Sequence, residues 1–313
     1  MNVLSLCDGM SCGHIALDRA GIKVDRYYAA EIKEIGIKVT KANYPNTIHI
    51  GDVNKISYSN GVLHTEIGDF QTDIDLVMFG SPCQTFSIAM PSEQRNGREN
   101  KEKSGLFDEC YRILKEVNPA YFLMENVRSM RDEDRDYITS IMNVSPIMID
   151  SAKIAPCIRK RYYWTNIPNV TQPNEKEIRL QDILDDGWTD REKGHCLMVV
   201  DCRPLTTPVK MFHRYYRKGF NNLVFKSKEH YEICKSYYDS HYKGMSANQI
   251  PVGETDVFDG VRFLNQIELE RCQTVPEGYT KCLTRNEAAD VLGDGWTVDV
   301  IAHIFKGLKE VCE

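Results

Sequence analysis

The chain has 313 residues, 42% of them hydrophobic and 27% charged, with a formal net charge of −6. That length buries a substantial core, as one large domain with a smaller one or as two, and the acidity excludes a global polyanion-binding surface, so any contact with nucleic acid must come from a local patch. No run approaches the roughly 20 apolar residues of a membrane span, and Met1-Asn2-Val3-Leu4-Ser5-Leu6 has neither a basic leader nor a long apolar core, so a soluble, cytoplasmic protein is expected.

In chain order, Val3 to Leu6 read as a first strand, followed by the turn Cys7-Asp8-Gly9-Met10-Ser11-Cys12-Gly13 and a helical segment from Ile15 to Ala20. A glycine turn between strand and helix lets a backbone approach a ligand. The pattern Gly-x-x-x-Gly is neither the dinucleotide fingerprint nor a phosphate loop. A second strand, Arg26 to Ala30, ends in Glu31, 22 positions after Gly9. An acidic residue at about that spacing accepts hydrogen bonds from ribose hydroxyls in Rossmann-like folds, so a ribose-bearing ligand is expected. A helical stretch follows from Glu34 to Asn43, and Ile48-His49-Ile50-Gly51-Asp52-Val53 then reads as a third short strand ending in Asp52, a second carboxylate for the same ligand.

The apolar run Leu76-Val77-Met78-Phe79 reads as a buried fourth strand delivering Gly80-Ser81-Pro82-Cys83-Gln84 at its C-terminal end, where open α/β sheets place their chemistry. Ile88 to Ser104, with Arg95, Arg98, Lys101 and Lys103, has the composition of a mobile loop beside a site. A core-packing helix is expected from Gly105 to Val117, and a fifth strand, Tyr121 to Met124, ending in Glu125-Asn126-Val127. Ile147 to Ile149 reads as a sixth strand. Ile158 to Trp164 reads as a seventh, whose alternation would put Arg159 and Arg161 on one face.

Beyond about Asn166 the strand–helix alternation fades. Val200 to Met245 holds nine cations against four anions, a local net of +5, interleaved with Tyr215, Tyr216, Phe220, Phe225, Tyr231, Tyr237 and Tyr238. Cations for phosphates with aromatics for bases form the footprint of a nucleic-acid surface. Helical pattern returns at Leu264 to Cys272, Glu287 to Leu292 and Trp296 to Val311. The 11 cysteines are odd in number and show no Cys-x-x-Cys pair, and the 8 histidines do not pair with them at ligand spacing, so reduced thiols and no metal site are expected.

Asp8-Gly9 with Gly13, Glu31, Asp52, Gly80-Ser81-Pro82-Cys83-Gln84, Glu125-Asn126-Val127, Arg159-x-Arg161 and Arg262-x-Leu264-x-x-x-Glu268-x-x-Arg271-x-Gln273-x-x-Pro276 occur in an order that resembles DNA (cytosine-5)-methyltransferases. Ser5-Leu6-Cys7-Asp8-Gly9, Gly21-Ile22-Lys23-Val24, Arg161-Tyr162-Tyr163-Trp164 and Gly295-Trp296-Thr297-Val298 look most like the catalytic domain of the eukaryotic de novo enzymes. The resemblance implies an α/β, Rossmann-like S-adenosylmethionine-dependent methyltransferase fold with a smaller inserted target-recognition domain. Residues 1–165 and 262–313 would form the catalytic domain and 166–261 the recognition domain.

It implies further that Cys83 adds to carbon 6 of cytosine, that Glu125 protonates or hydrogen-bonds ring nitrogen 3, and that Arg161 holds the 2-carbonyl oxygen, with Arg159 supporting it or contacting backbone. Asp8, Gly9, Met10 and Cys12 would line S-adenosylmethionine, Glu31 would take its ribose, Ile32 and Val53 would flank adenine with Asp52 at the amino group, and Trp296 would close the pocket. The loop from Ile88 would close over a base flipped out of duplex DNA. Such proteins occur in bacterial or phage-infected cells, some beside a cognate restriction endonuclease. The chain departs from the family pattern at Cys7, usually aromatic, at Ile158, often glutamine, and at Asp294, a cation in the nearest relatives. These positions concern cofactor affinity rather than the thiol, the acid or Arg161. A transfer-RNA substrate and a catalytically inactive DNA-binding relative are the alternatives.

Overall fold

The computed structural model describes residues 1–80, 101–198, 207–219, 221–251 and 256–312. The chain forms two compact units. One comprises 1–150, 160–174 and 298–313, the other 151–159 and 175–297. Among the described residues no helix is long and apolar enough to cross a membrane.

The first unit is built on a seven-stranded sheet. In chain order its first elements are β1 (Asn2–Leu6), α1 (Cys12–Ala20), β2 (Arg26–Ala30), α2 (Glu34–Asn43) and β3 (Ile48–Gly51). A small antiparallel meander follows, β4 (Ser57–Ser59), β5 (Val62–Thr65) and β6 (Gly68–Gln71). Then come β7 (Leu76–Gly80), α3 (Lys101–Val117), β8 (Tyr121–Val127), α4 (Asp132–Met142), β9 (Ile147–Asp150) and β10 (Lys160–Thr165). The order across the large sheet is β3-β2-β1-β7-β8-β10-β9. β10 runs antiparallel to both of its neighbours, while β3, β2, β1, β7 and β8 are mutually parallel.

Strands buried on both faces read as continuous apolar runs, which is why Val3-Leu4 and Leu76-Val77-Met78-Phe79 lie at the centre of the sheet and are fully buried. α3 buries Phe107, Cys110, Ile113 and Leu114 in the same core. It begins at Lys101, so the last residues of the expected loop belong to the helix. α1 ends at Gly21, whose φ of 74° and paired backbone bonds to Asp18 and Leu17 form a Schellman-type stop. The last helix, Val298–Cys312, packs on α1, with Arg19 pairing to Asp299 at 2.6 Å.

The meander was not expected. Its signal is Asn60-Gly61, with φ of 53° and 77°, the pair a two-residue hairpin turn demands.

Arg159 corrects the sequence-based expectation for the seventh strand. β10 begins at Lys160, and Arg159 belongs with the second unit. Ile158 donates its N–H to the Gly194 carbonyl at 2.8 Å, drawing the segment out of strand register before β10 begins.

The second unit contains α5 (Pro208–Lys218), β11 (Leu223–Val224), α6 (Lys228–His241), β12 (Arg262–Phe263), α7 (Gln266–Cys272) and α8 (Arg285–Asp294). Its core is aromatic: Phe212, Tyr215, Phe225, Tyr231, Tyr238 and Phe258 are buried together. Tyr215, Phe225, Tyr231 and Tyr238 are therefore packing residues rather than base-stacking ones. Arg262 and Arg271, partly exposed, pair with acidic side chains of the same unit, and Glu268 and Gln273 are buried. Glu268, wholly buried, takes both guanidinium nitrogens of Arg262 at 2.8 and 2.9 Å and the backbone N–H groups of Asp185 and Asn265.

Candidate active site

Parallel strands end together, and their C-terminal ends define one edge of the sheet. Chain order reverses between β1 and β7, the switch point at which open α/β sheets bind ligands. Register makes the edge explicit. Leu6 pairs with Ala30 on one side and Phe79 on the other, and Gly80 pairs with Glu125. The residues just past β1 and β2, Cys7 and Glu31, thus lie in one row with Gly80 and Glu125. Because β10 is antiparallel, it brings its first residues to that same edge, with Arg161 opposite Val127.

Arg161 is two positions diagonal to Glu125, on the same face. Its Nε donates to Glu125 Oε1 at 2.7 Å, and both side chains are largely buried. Glu125 is only 7% exposed and lies within β8, which runs on to Val127, rather than after its end. Cys83 and the rest of Ser81–Gln84 lie outside the described residues, as does the expected loop from Ile88 to Asn100. Gly80, three residues before Cys83, is the residue that pairs with Glu125.

On the other side of the switch point, the turn after β1 alternates into left-handed backbone at Cys7, Gly9 and Ser11, with φ of 55°, 63° and 62°. Its conformation is held by hydrogen bonds. Asp8 N–H donates to the Ala30 carbonyl at 3.0 Å, and Gly9 N–H to Glu31 Oε2 at 2.7 Å. Glu31 Oε1 accepts from the backbone N–H groups of Ile32 and Lys33, both at 2.8 Å. Among the described residues, a Cβ at Gly9 would meet no atom within 4 Å, which leaves room over the turn.

Asp8 is partly buried; desolvation pushes its carboxyl up from the usual range, against the donors Ser11, Ser5 and Tyr27. Asp52, next in the row beyond Glu31, turns its Oδ1 to Asn54. Met10, Cys12 and Val53 are buried, whereas Ile32 is 68% exposed beside Glu31. Asp8, Gly9, Glu31, Ile32, Asp52 and Val53 are therefore brought to one edge of one unit.

Gly36 of α2 was not anticipated by sequence reading. A Cβ there would stand 2.4 Å from the Gly9 carbonyl oxygen, so only glycine lets α2 approach the turn. Gly36→Ala is expected to lower stability by about 1–3 kcal/mol through overpacking against backbone and to displace Gly9. Thermal unfolding alongside donor-binding calorimetry would check both effects.

In the second unit, Arg159 is buried and its guanidinium donates to the carbonyls of Gly293 at 3.3 Å and Gly295 at 2.8 Å. Gln273 Nε2 reaches the Leu292 carbonyl, and its Oε1 accepts from Thr297. Trp296 lies between these anchored residues, partly exposed. Arg159 thus has backbone carbonyls of its own unit as partners. Among the described residues no group of His, Cys, Asp and Glu is placed to hold a metal ion.

The sheet order, with β10 antiparallel to both of its neighbours, is that of an S-adenosylmethionine-dependent methyltransferase fold. The S. pombe Dnmt2 methyltransferase superposes with a TM-score of 0.69 at 16% identity, covering 100% of this chain and 99% of that one. Residues 1–146 match the family of C-5 cytosine-specific DNA methylases. The Type II methyltransferase M1.ScrFI of Lactococcus lactis subsp. cremoris is 34% identical over 318 residues, covering 93% of this chain and 74% of that protein. The Type II methyltransferase M.NlaIV of Neisseria lactamica is 37% identical over 181 residues, covering 51% of this chain and 40% of that protein. The chain belongs to the C-5 cytosine-specific DNA methylase family. It spans less than half the length of several curated relatives it matches, 42%, 40% and 45% of three of them.

Proposed function

We propose that the protein methylates carbon 5 of a cytosine flipped out of duplex DNA, with S-adenosylmethionine as methyl donor. The observation that carries this reading is the buried Glu125–Arg161 pair, next to the strand whose chain continues into Cys83. Carbon 5 of cytosine is a poor nucleophile. Addition of the Cys83 thiolate to carbon 6 forms an S–C bond and pushes electron density onto the ring, making carbon 5 nucleophilic. Glu125 hydrogen-bonds ring nitrogen 3 and stabilises that density, while Arg161, fixed by Glu125, donates to the 2-carbonyl oxygen. When bound, S-adenosylmethionine supplies an electrophilic methyl group. Once carbon 5 carries the methyl, loss of its proton restores the double bond as the bond to Cys83 breaks.

The residues at the β1–β2–β3 edge suit that donor. It has a ribose and an adenine but no pyrophosphate, so a single glycine turn with open space above it suffices. Glu31 is proposed to take a ribose hydroxyl, Ile32 and Val53 to flank adenine, and Asp52 to accept its amino group. Asp8, Met10 and Cys12 would shape the turn beneath the donor.

Residues 166–261 are proposed to recognise the target, with the exposed Arg217, Lys226, Lys228 and Lys243 of the basic stretch available to phosphates. Relatives designated both Type II and orphan occur, so pairing with a restriction endonuclease is proposed only by way of the Type II designation. Tritiated methyl transfer tests the activity. Incorporation into duplex DNA well above that into transfer RNA supports it, and incorporation into transfer RNA alone would replace the substrate.

A further inference from the structure

We infer that Tyr27 is a positioning residue for the methyl-donor turn, acting through Asp8; the inference rests on the proposed donor site. Tyr27 is buried on β2, and its hydroxyl donates to Asp8 Oδ1 at 2.7 Å. Asp8 Oδ2 accepts from Ser11 at 2.5 Å, and the Ser11 and Thr40 hydroxyls lie 3.0 Å apart. Ser11 occupies the N-cap position of α1, yet it makes no side-chain cap bond and turns its hydroxyl to Asp8 instead. One carboxylate in the turn is thereby tied to β2 and α1, and through Ser11 to Thr40 of α2.

The Tyr27 ring is itself fixed. It stacks on His14 with centroids 4.3 Å apart, and His14 stacks on Tyr44 at 3.9 Å, both pairs within 13° of parallel. The outer ring is anchored by Tyr44 donating to Asp18 at 2.7 Å. A rigid column of three rings therefore sets where the Tyr27 hydroxyl stands. The hydroxyl sets the orientation of Asp8, and Asp8 precedes Gly9, whose N–H must meet Glu31. Both Asp8 oxygens accept from hydroxyls of the protein, so the side chain braces the turn.

Tyr27→Phe keeps the stack and removes the one hydroxyl. Its expected effect is a roughly five- to tenfold rise in the dissociation constant of S-adenosylmethionine, the cost of one typical hydrogen bond. The Gly9 amide resonance should shift with it. Tyr58→Phe, which removes a hydroxyl bonded to the Thr72 carbonyl in the small meander, away from the ring column, should leave donor affinity within twofold. In an Asp8→Ala background, Tyr27→Phe should add less than twofold, because its route to the turn is already gone.

Calorimetry on the full chain, with unfolding temperatures recorded for each variant, reads this directly. Lowered unfolding temperature with unchanged donor affinity and an unmoved Gly9 resonance would make Tyr27 merely structural and overturn the inference. Additive losses in the double variant would overturn it as well. Failure of the wild-type protein to bind the donor would instead overturn the functional reading, and with it the consequence drawn here.

Discussion

Cys83→Ala is expected to abolish methyl incorporation into duplex DNA, a loss on the order of 10⁴-fold or more, as when a covalent nucleophile is removed. The reason lies in the substrate. Without a bond to carbon 6, carbon 5 has no electron density to offer a methyl donor, and no arrangement of the remaining residues provides it. The sheet is consistent with this assignment. β7 is a central strand, buried from Leu76 to Phe79, and its last residue, Gly80, pairs with Glu125 and stands three positions before Cys83 in the sequence. Donor binding should survive the substitution, because the turn after β1, Glu31 and Asp52 depend on other strands. A labelled-methyl assay with donor calorimetry on both proteins checks the pair of outcomes; equal incorporation by both would remove Cys83 from the mechanism.

Glu125→Gln is expected to reduce turnover by about 10²- to 10⁴-fold, the usual range for a general acid, with donor affinity near that of the wild type. Glutamine has nearly the same size, and its carbonyl oxygen can still accept from Arg161, which now donates to Glu125 at 2.7 Å. What it lacks is the capacity to deliver a proton. The geometry of the pair should persist while the ring density built up by Cys83 goes unrelieved. Single-turnover rates on duplex DNA measure the effect, and unchanged turnover would count against the assignment.

Where the sequence was legible, one local rule sufficed. Val3-Leu4 and Leu76 to Phe79 could be read as central strands because burial on both faces leaves an unbroken apolar run, and the acidic Glu31 at the end of β2 stood out against it. Arg159 was misjudged because alternation orients two arginines only if both lie in the strand. The bond from Ile158 to Gly194 that withdraws it involves a residue 36 positions away. Tyr215, Phe225, Tyr231 and Tyr238 looked like part of a nucleic-acid surface because composition cannot tell an aromatic core from an aromatic face. Only the packing of α5 and α6 around Phe212 decides it. Gly36 and Tyr27 were invisible for a related reason. Each matters through a contact with the Cys7–Ser11 turn, and nothing in its own neighbourhood of sequence marks it.

The proposed covalent bond between Cys83 and carbon 6 of cytosine can be trapped. A duplex carrying 5-fluorocytosine can accept the thiolate and the methyl but cannot lose fluorine as a proton is lost, so the adduct cannot resolve. With S-adenosylmethionine present, a denaturation-stable protein–DNA complex is expected whose peptide mass places the cytosine and the methyl on Cys83, and no such complex from Cys83→Ala. A wild-type protein that methylates ordinary duplex DNA yet forms no stable complex, or one in which the adduct maps to another residue, would contradict it.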